Sequence, residues 1–204
     1  MKRQLLCLGA VLSLMWCCGT FPCVAFVDVV KGAYYSEAVD WAVDNNITTG
    51  TSATEFSPEK PCTKSQALTF LWRLVVKNVE QKAYEKKDME EAVEWAIIKG
   101  LEDENFDSQE VCSRADFVGY LYAINAKEPT VKKSEVDTLL RQFPDMRNTT
   151  DFVKKTVAWA VGLGITQGKK VDSFDPEGTC NRAQIMTFLF RYIKRTAKGV
   201  GADA

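Results

Sequence analysis

Apolar residues recur along this chain at helical spacing in paired segments, and the pairs repeat. Ala38, Val39, Ala42 and Val43 form one stripe, followed by a glycine-containing turn at Gly50. A second stripe runs through Ala67, Phe70, Leu71 and Leu74. The second-helix pattern returns at Phe117, Leu121 and Ile124 and again at Ile185, Phe188, Leu189 and Tyr192. This periodicity predicts amphipathic helices rather than strands, arranged as helix, loop, helix.

The repeats align on Trp-Ala at Trp41, Trp95 and Trp159. An aliphatic residue follows each time (Ile47, Leu101, Ile165), then a loop phenylalanine (Phe56, Phe106, Phe174), then a cysteine (Cys62, Cys112, Cys180). Tryptophan and cysteine lie 21 residues apart in the outer copies and 17 in the middle one, which has lost four loop residues. The outer copies open with Phe-x-Asp, at Phe26–Asp28 and Phe143–Asp145, and carry Pro58 or Pro176 after the loop phenylalanine. The middle copy has neither. Gly50 and Gly168 stand where a left-handed backbone is expected. The predicted units are residues 26–76, 84–125 and 143–194. A linker at 126–142 carries a possible helix from Ser134 with Asp137 as its capping partner. A tail at 195–204 is expected to fray.

Each second helix opens with a good N-cap, Thr63, Ser113 or Asn181, and three positions on stands Gln66, Asp116 or Gln184. That spacing predicts a capping box. Each cysteine falls just before the cap, where it can pack as a staple on Ala67, Phe117 or Ile185. The cations Lys64, Arg114 and Arg182 are not explained this way. They sit in the first helical turn, where the dipole disfavours positive charge by about a few tenths of a kcal/mol. A cation beside free helix N–H groups makes a site for a carboxylate or phosphate. An ion pair with a neighbouring repeat's Asp or Glu, or a solvated cation, is the structural alternative.

Composition narrows the chemistry. The chain has 204 residues, a formal charge of −1 and no histidine. Imidazole catalysis and His-ligated metal sites are excluded, and no basic excess points to nucleic acid. Glu37, Asp40 and Glu91 lie on predicted solvated faces at ordinary spacing, so no enzyme is expected. Neither a metal motif nor a cofactor motif is present, because Cys62, Cys112 and Cys180 are dispersed. Lys2, Arg3, the uncharged run from Leu5 and the small residues Cys23 to Ala25 predict a signal peptide over 1–25, with a retained membrane anchor as the alternative. No lipobox surrounds Cys7, Cys17, Cys18 or Cys23. Cleavage after Ala25 leaves three of seven cysteines and moves the formal charge to −3.

The segments "FVDVV", "AVDWAVDNNITTG" and "FSPEKPCTKSQALTFLWRL", with the third-copy "FPDM", "TVAWAVGLGITQG" and "FDPEGTCNRAQIMTFLFRYI", resemble the S-layer homology domain. The resemblance covers Phe26 to Lys194 in three tandem copies. It implies an all-α, pseudo-threefold helical bundle that attaches exported proteins non-covalently to the bacterial wall. The implied partner is a secondary cell-wall polymer bearing pyruvate ketals, besides other envelope proteins. The family's Thr-Arg-Ala-Glu motif corresponds to "TKSQ" from Thr63, "SRAD" from Ser113 and "NRAQ" from Asn181. Its arginine meets the polymer's carboxylate, which ranks Arg182 first, Arg114 second and Lys64 third as carbohydrate-binding residues. Lys64 lacks the bidentate geometry of arginine, and none of the three copies has the family's glutamate. Asp28 and Asp145 match the family's leading aspartate, either as ligand contacts or as turn formers. The tryptophans serve either sugar stacking or core packing, and their apolar helix face favours the core. A secreted helical scaffold for protein partners, its sugar site decayed, is the alternative function.

Overall fold

The structure is a computed structural model that describes residues 26–77, 87–125 and 130–199. The predicted signal peptide, most of the first linker and the end of the tail lie outside the described residues. Seven α-helices are found there: α1 (Ser36–Asp44), α2 (Lys64–Trp72), α3 (Asp88–Ile98), α4 (Arg114–Ala123), α5 (Lys133–Leu140), α6 (Asp151–Gly162) and α7 (Arg182–Gly199). A π-helical turn, Arg73–Lys77, extends α2, and a 3-10 turn, Pro144–Met146, precedes α6. The fold is all-α, as the periodicity predicts.

Local chemistry sets the helix starts. Thr63 and Ser113 each accept the N3 amide, while Gln66 and Asp116 accept the cap's own N–H. Asn181 and Gln184 make the same exchange, at 2.9 and 3.4 Å. Each such cap is worth about 1 kcal/mol. The linker helix begins one residue earlier than the sequence suggests. Glu135, rather than Asp137, reaches back to the Lys132 N–H at 3.0 Å, so Lys132 takes the cap position.

The repeats close into a ring. Each second helix packs on the first helix of the next repeat: α2 on α3, α4 on α6, and α7 back on α1. A cycle of backbone hydrogen bonds runs through the cysteines at the centre. Cys112 N–H donates to Cys62 O at 2.9 Å, Cys180 N–H to Cys112 O at 2.9 Å, and Cys62 N–H to Cys180 O at 3.3 Å. Isolated β-bridges flank it at Pro61 and Asn181, Thr63 and Val111, and Ser113 and Thr179. This is the expected pseudo-threefold arrangement.

The core follows the axis. Cys62, Cys112, Cys180, Ile47, Ile165, Phe56 and Phe174 are fully buried. The cysteines are free thiols, packed in one core with Ala67, Phe117 and Ile185. Trp159 is buried edge-on against Tyr122 at 5.4 Å, and Trp41 packs on Phe190 at 5.5 Å.

Candidate functional site

The loop phenylalanine is held by the leading aspartate. Asp28 accepts the N–H groups of Phe56 and Ser57 at 2.8 and 2.6 Å. Asp145 accepts those of Phe174 and Asp175 at 3.2 and 2.7 Å, and the Ser173 hydroxyl at 2.9 Å. Ser57 and Asp175 sit at φ 58° and 60°, a region unfavourable for residues with a Cβ. The carboxylate bonds offset that strain. Burial opposes ionisation of Asp145, but the hydrogen bonds from Asp175, Ser173 and Phe174 outweigh it and lower its pKa. Both aspartates therefore build the loop.

The same Phe-x-Asp segment fixes the turn before the loop. The Phe26 ring lies against Gly50 and the Phe143 ring against Gly168, with glycine φ of 86° and 91°. A methyl group at either position would overlap the ring and a backbone oxygen.

The loop carbonyls then receive the first-turn cations of the neighbouring repeat. Arg182 Nε donates to Phe56 O at 2.8 Å, and Arg114 Nε donates to Phe174 O at 2.8 Å. The Arg182 guanidinium stacks 4.8 Å from the Phe56 ring and 5.3 Å from Phe70. That of Arg114 lies 4.9 Å from Phe174 and 5.4 Å from Phe188. Such cation–π contacts hold a desolvated guanidinium in place.

The expectation of free helix N–H groups beside these cations fails. The N1 and N2 amides of α2 donate to Glu110 O and Ser108 O, at 2.8 and 3.0 Å. Those of α4 donate to Gly178 O and Pro176 O, and those of α7 to Lys60 O and Pro58 O. The next repeat's loop consumes the helix-end donors, so any anion must meet side chains instead.

The three cations differ in what remains unsatisfied. Arg182 also donates from Nη2 to Thr48 Oγ1 at 3.3 Å. Arg114 is 2% exposed, and its Nη2 has no hydrogen-bond partner. Burial pushes the Arg114 pKa down, opposed in part by Asp175 and Asp145. Arg114 borders a groove of about 310 Å³, with Tyr34, Thr166, Gln167, Lys169 and Arg191 on its walls. A buried guanidinium N–H left unpaired is costly, and an anion entering this groove would satisfy it.

Lys64 has a different environment. It pairs with Glu110 at 2.7 Å and with Glu102 at 3.7 Å. Burial lowers its pKa, but Glu110, Asp116 and Glu102 outweigh that and raise it. Glu102 stands where the outer repeats place Thr48 and Thr166, directly after the aliphatic residue. Tyr120 replaces Phe70 and Phe188, and its hydroxyl donates to Glu102. Lys64, Glu102 and Tyr120 thus form one internally neutralised cluster. Reading the three copies in register at these positions is the signal that would have found Glu102 and Tyr120.

Further polar contacts escaped the sequence reading. Arg73 and Arg191 donate from Nη1 to Ile47 O and Ile165 O, at 3.1 and 3.3 Å. The middle repeat has Ala123 at the matching position. Buried Asp88 joins Arg73, at 3.1 Å, and Lys77 beneath the π-helical turn.

Comparison with known proteins finds one domain family in two segments of this chain. The S-layer homology domain matches residues 25–68 and 142–186. Both segments are consistent with the S-layer homology family. The two matched segments are the outer repeats, which hold Asp28, Asp145, Gly50 and Gly168. The S-layer protein of Bacillus licheniformis is 26% identical over 88% of this chain and 21% of its own length. The exoglucanase XynX of Acetivibrio thermocellus is 23% identical over 85% of this chain and 16% of its own length. The amylopullulanase of Thermoanaerobacterium thermosulfurigenes is 22% identical over 82% of this chain and 9% of its own length. The chain thus spans about a fifth or less of these relatives. The S-layer homology domain is a non-catalytic module for anchoring to the cell wall. Among the described residues no helix is long and apolar enough to cross a membrane.

Proposed function

We propose that this chain anchors to an anionic secondary cell-wall polymer, with the Arg114 groove as its principal binding site. The observation that carries this reading is the buried, unpartnered Nη2 of Arg114 at a groove walled by Thr166, Gln167 and Lys169. A carboxylate, such as that of a pyruvate ketal, supplies the missing acceptor and neutralises the guanidinium. Arg182 follows, because Thr48 already takes one of its donors. Lys64 contributes least, because Glu102 and Glu110 act as its anions. In this reading Asp28 and Asp145 position the loops without touching the polymer. Residues 84–125 are a third, divergent repeat, supported by their place in the hydrogen-bonded ring. The protein is exported and held at the cell surface.

The test is co-sedimentation of the chain from Phe26 with purified sacculi, with and without acid extraction of the secondary polymer. Arg114→Met removes a charged hydrogen bond worth about 1.5–3 kcal/mol, so affinity should fall about tenfold to a hundredfold. Arg114→Lys keeps the charge and controls for lost packing. Lys64→Met should bind as the unaltered chain does. Equal binding by Arg114→Met, or equal binding to extracted sacculi, overturns the proposal. Only the Lys64 cluster favours the alternative of a scaffold whose sugar site has decayed.

A further inference from the structure

A second cavity, of about 340 Å³, lies between α5, the 3-10 turn and α6 and shares no lining residue with the Arg114 groove. Its volume falls at the small end of the range for ligand pockets. Val136 and Leu140 of α5 form one apolar wall, and Phe143, Pro144 and Met146 of the turn form the other. Leu140, Phe143 and Met146 are buried, so the floor is fixed by core packing. Arg141, Arg147 and Lys154 stand around it, against the single carboxylate of Asp137. None of these three cations makes a side-chain hydrogen bond or ion pair among the described residues. In the site described above, by contrast, every repeat cation is anchored by a carbonyl or a carboxylate. One wall also comes from α5, which precedes the matched segment 142–186.

We propose that this pocket binds a small amphiphilic anion, a carboxylate or phosphate group carried on an apolar body. The charge excess selects the anion, and the wall selects the body. An inorganic ion would leave the apolar wall wet, and a neutral apolar molecule would gain nothing from the excess positive charge. An acyl carboxylate and an alkyl phosphate offer the same chemistry, and the experiment separates them.

The chain from Phe26 would be titrated with octanoate, hexyl phosphate, inorganic phosphate and 1-hexanol, following the Met146 methyl resonance and the heat of binding. Octanoate or hexyl phosphate should saturate at one equivalent and shift Met146, with the tighter of the two identifying the headgroup. Inorganic phosphate and hexanol should bind at least about tenfold more weakly, since each lacks one half of the recognition. Arg147→Gln with Lys154→Gln should weaken the amphiphile by about tenfold or more and leave thermal stability unchanged, because neither side chain has a partner to lose. Val136→Trp should block the cavity while keeping the cations. Arg114→Met should leave this binding unchanged, which separates the pocket from the polymer groove. Absence of saturable amphiphile binding overturns the proposal, as does binding indifferent to both the Arg147/Lys154 variant and Val136→Trp.

Discussion

Gly168→Ala tests whether the Phe-x-Asp segment shapes the groove. The built methyl would stand 2.6 Å from Phe143 Cε1 and 2.9 Å from Lys170 O. Phe143 is 1% exposed and packs on Phe174 with ring centroids 6.2 Å apart, so it has little room to retreat. Lys170 O belongs to the turn closed by Ser173. Two costs combine: about 1–2 kcal/mol for a left-handed residue with a Cβ, and about 1–3 kcal/mol for overpacking. The smaller unfolded-state entropy of alanine returns about 0.4–1 kcal/mol. The net is a loss of about 2–4 kcal/mol. Gly32 provides the control, with φ 81° and nothing within 4 Å of its built methyl. Gly32→Ala should cost only about 1 kcal/mol. Urea unfolding followed by circular dichroism would measure both. The difference should also appear as a melting temperature lower by about 4–8 °C for Gly168→Ala than for Gly32→Ala. Because Gly168 N–H donates to Thr166 Oγ1, the same change should weaken the proposed polymer binding. Equal stability of the two variants would refute the steric account and leave backbone conformation as the whole cost.

Three other outcomes follow from the geometry. In a double-mutant cycle, Glu102→Thr and Tyr120→Phe should couple by about 0.5–3 kcal/mol in urea unfolding, and additive losses would dissolve the proposed cluster. Asp145 has a lowered folded pKa, so its stabilising contribution is present above the ordinary aspartate value of about 4 and is lost as pH falls through the folded value. Asp145→Asn should therefore flatten the acid limb of the stability curve, and an unchanged limb would assign that limb elsewhere, beginning with Asp88, whose pKa is also lowered. Burial raises the Cys62 pKa to about 11 and also raises Cys112 and Cys180, so a disulfide reagent at about pH 8 should label none of the three in the folded chain and all three in urea. Labelling at the rate of a free thiol would show that the central ring opens.

What the sequence made legible was local. Caps, glycine turns and helix stripes each depend on neighbours within a few residues, and the structure realises them. Repetition then multiplied a weak signal three times. What it concealed lies between repeats. Arg182 and its acceptor Phe56 are 126 residues apart, and Arg114 and Phe174 are 60 apart. Nothing in the "NRAQ" segment says that its N1 and N2 amides meet the backbone of Lys60 and Pro58. The anion site read from a free helix terminus failed for that reason. The cation at N1 is instead stabilised across a repeat boundary, where periodicity carries no information.

The divergence of the middle repeat follows from the same contacts. The leading phenylalanine covers the turn glycine, and the leading aspartate holds the left-handed residue after the loop phenylalanine. Neither half is useful alone: a glycine turn without its covering ring leaves an apolar gap, and an aspartate without the longer loop has no amides to accept. Shortening the middle loop by four residues therefore removes the need for the glycine and for Phe-x-Asp together. It also removes the turn in which Thr48 and Thr166 take the Gly50 and Gly168 N–H groups. That frees the corresponding position for Glu102, which can reach Lys64 and Tyr120. A lysine tolerates this point-charge pairing where an arginine would lose its stacked, carbonyl-directed geometry. Changing Lys64 to arginine without restoring the loop and replacing Glu102 should accordingly add nothing to the proposed polymer binding.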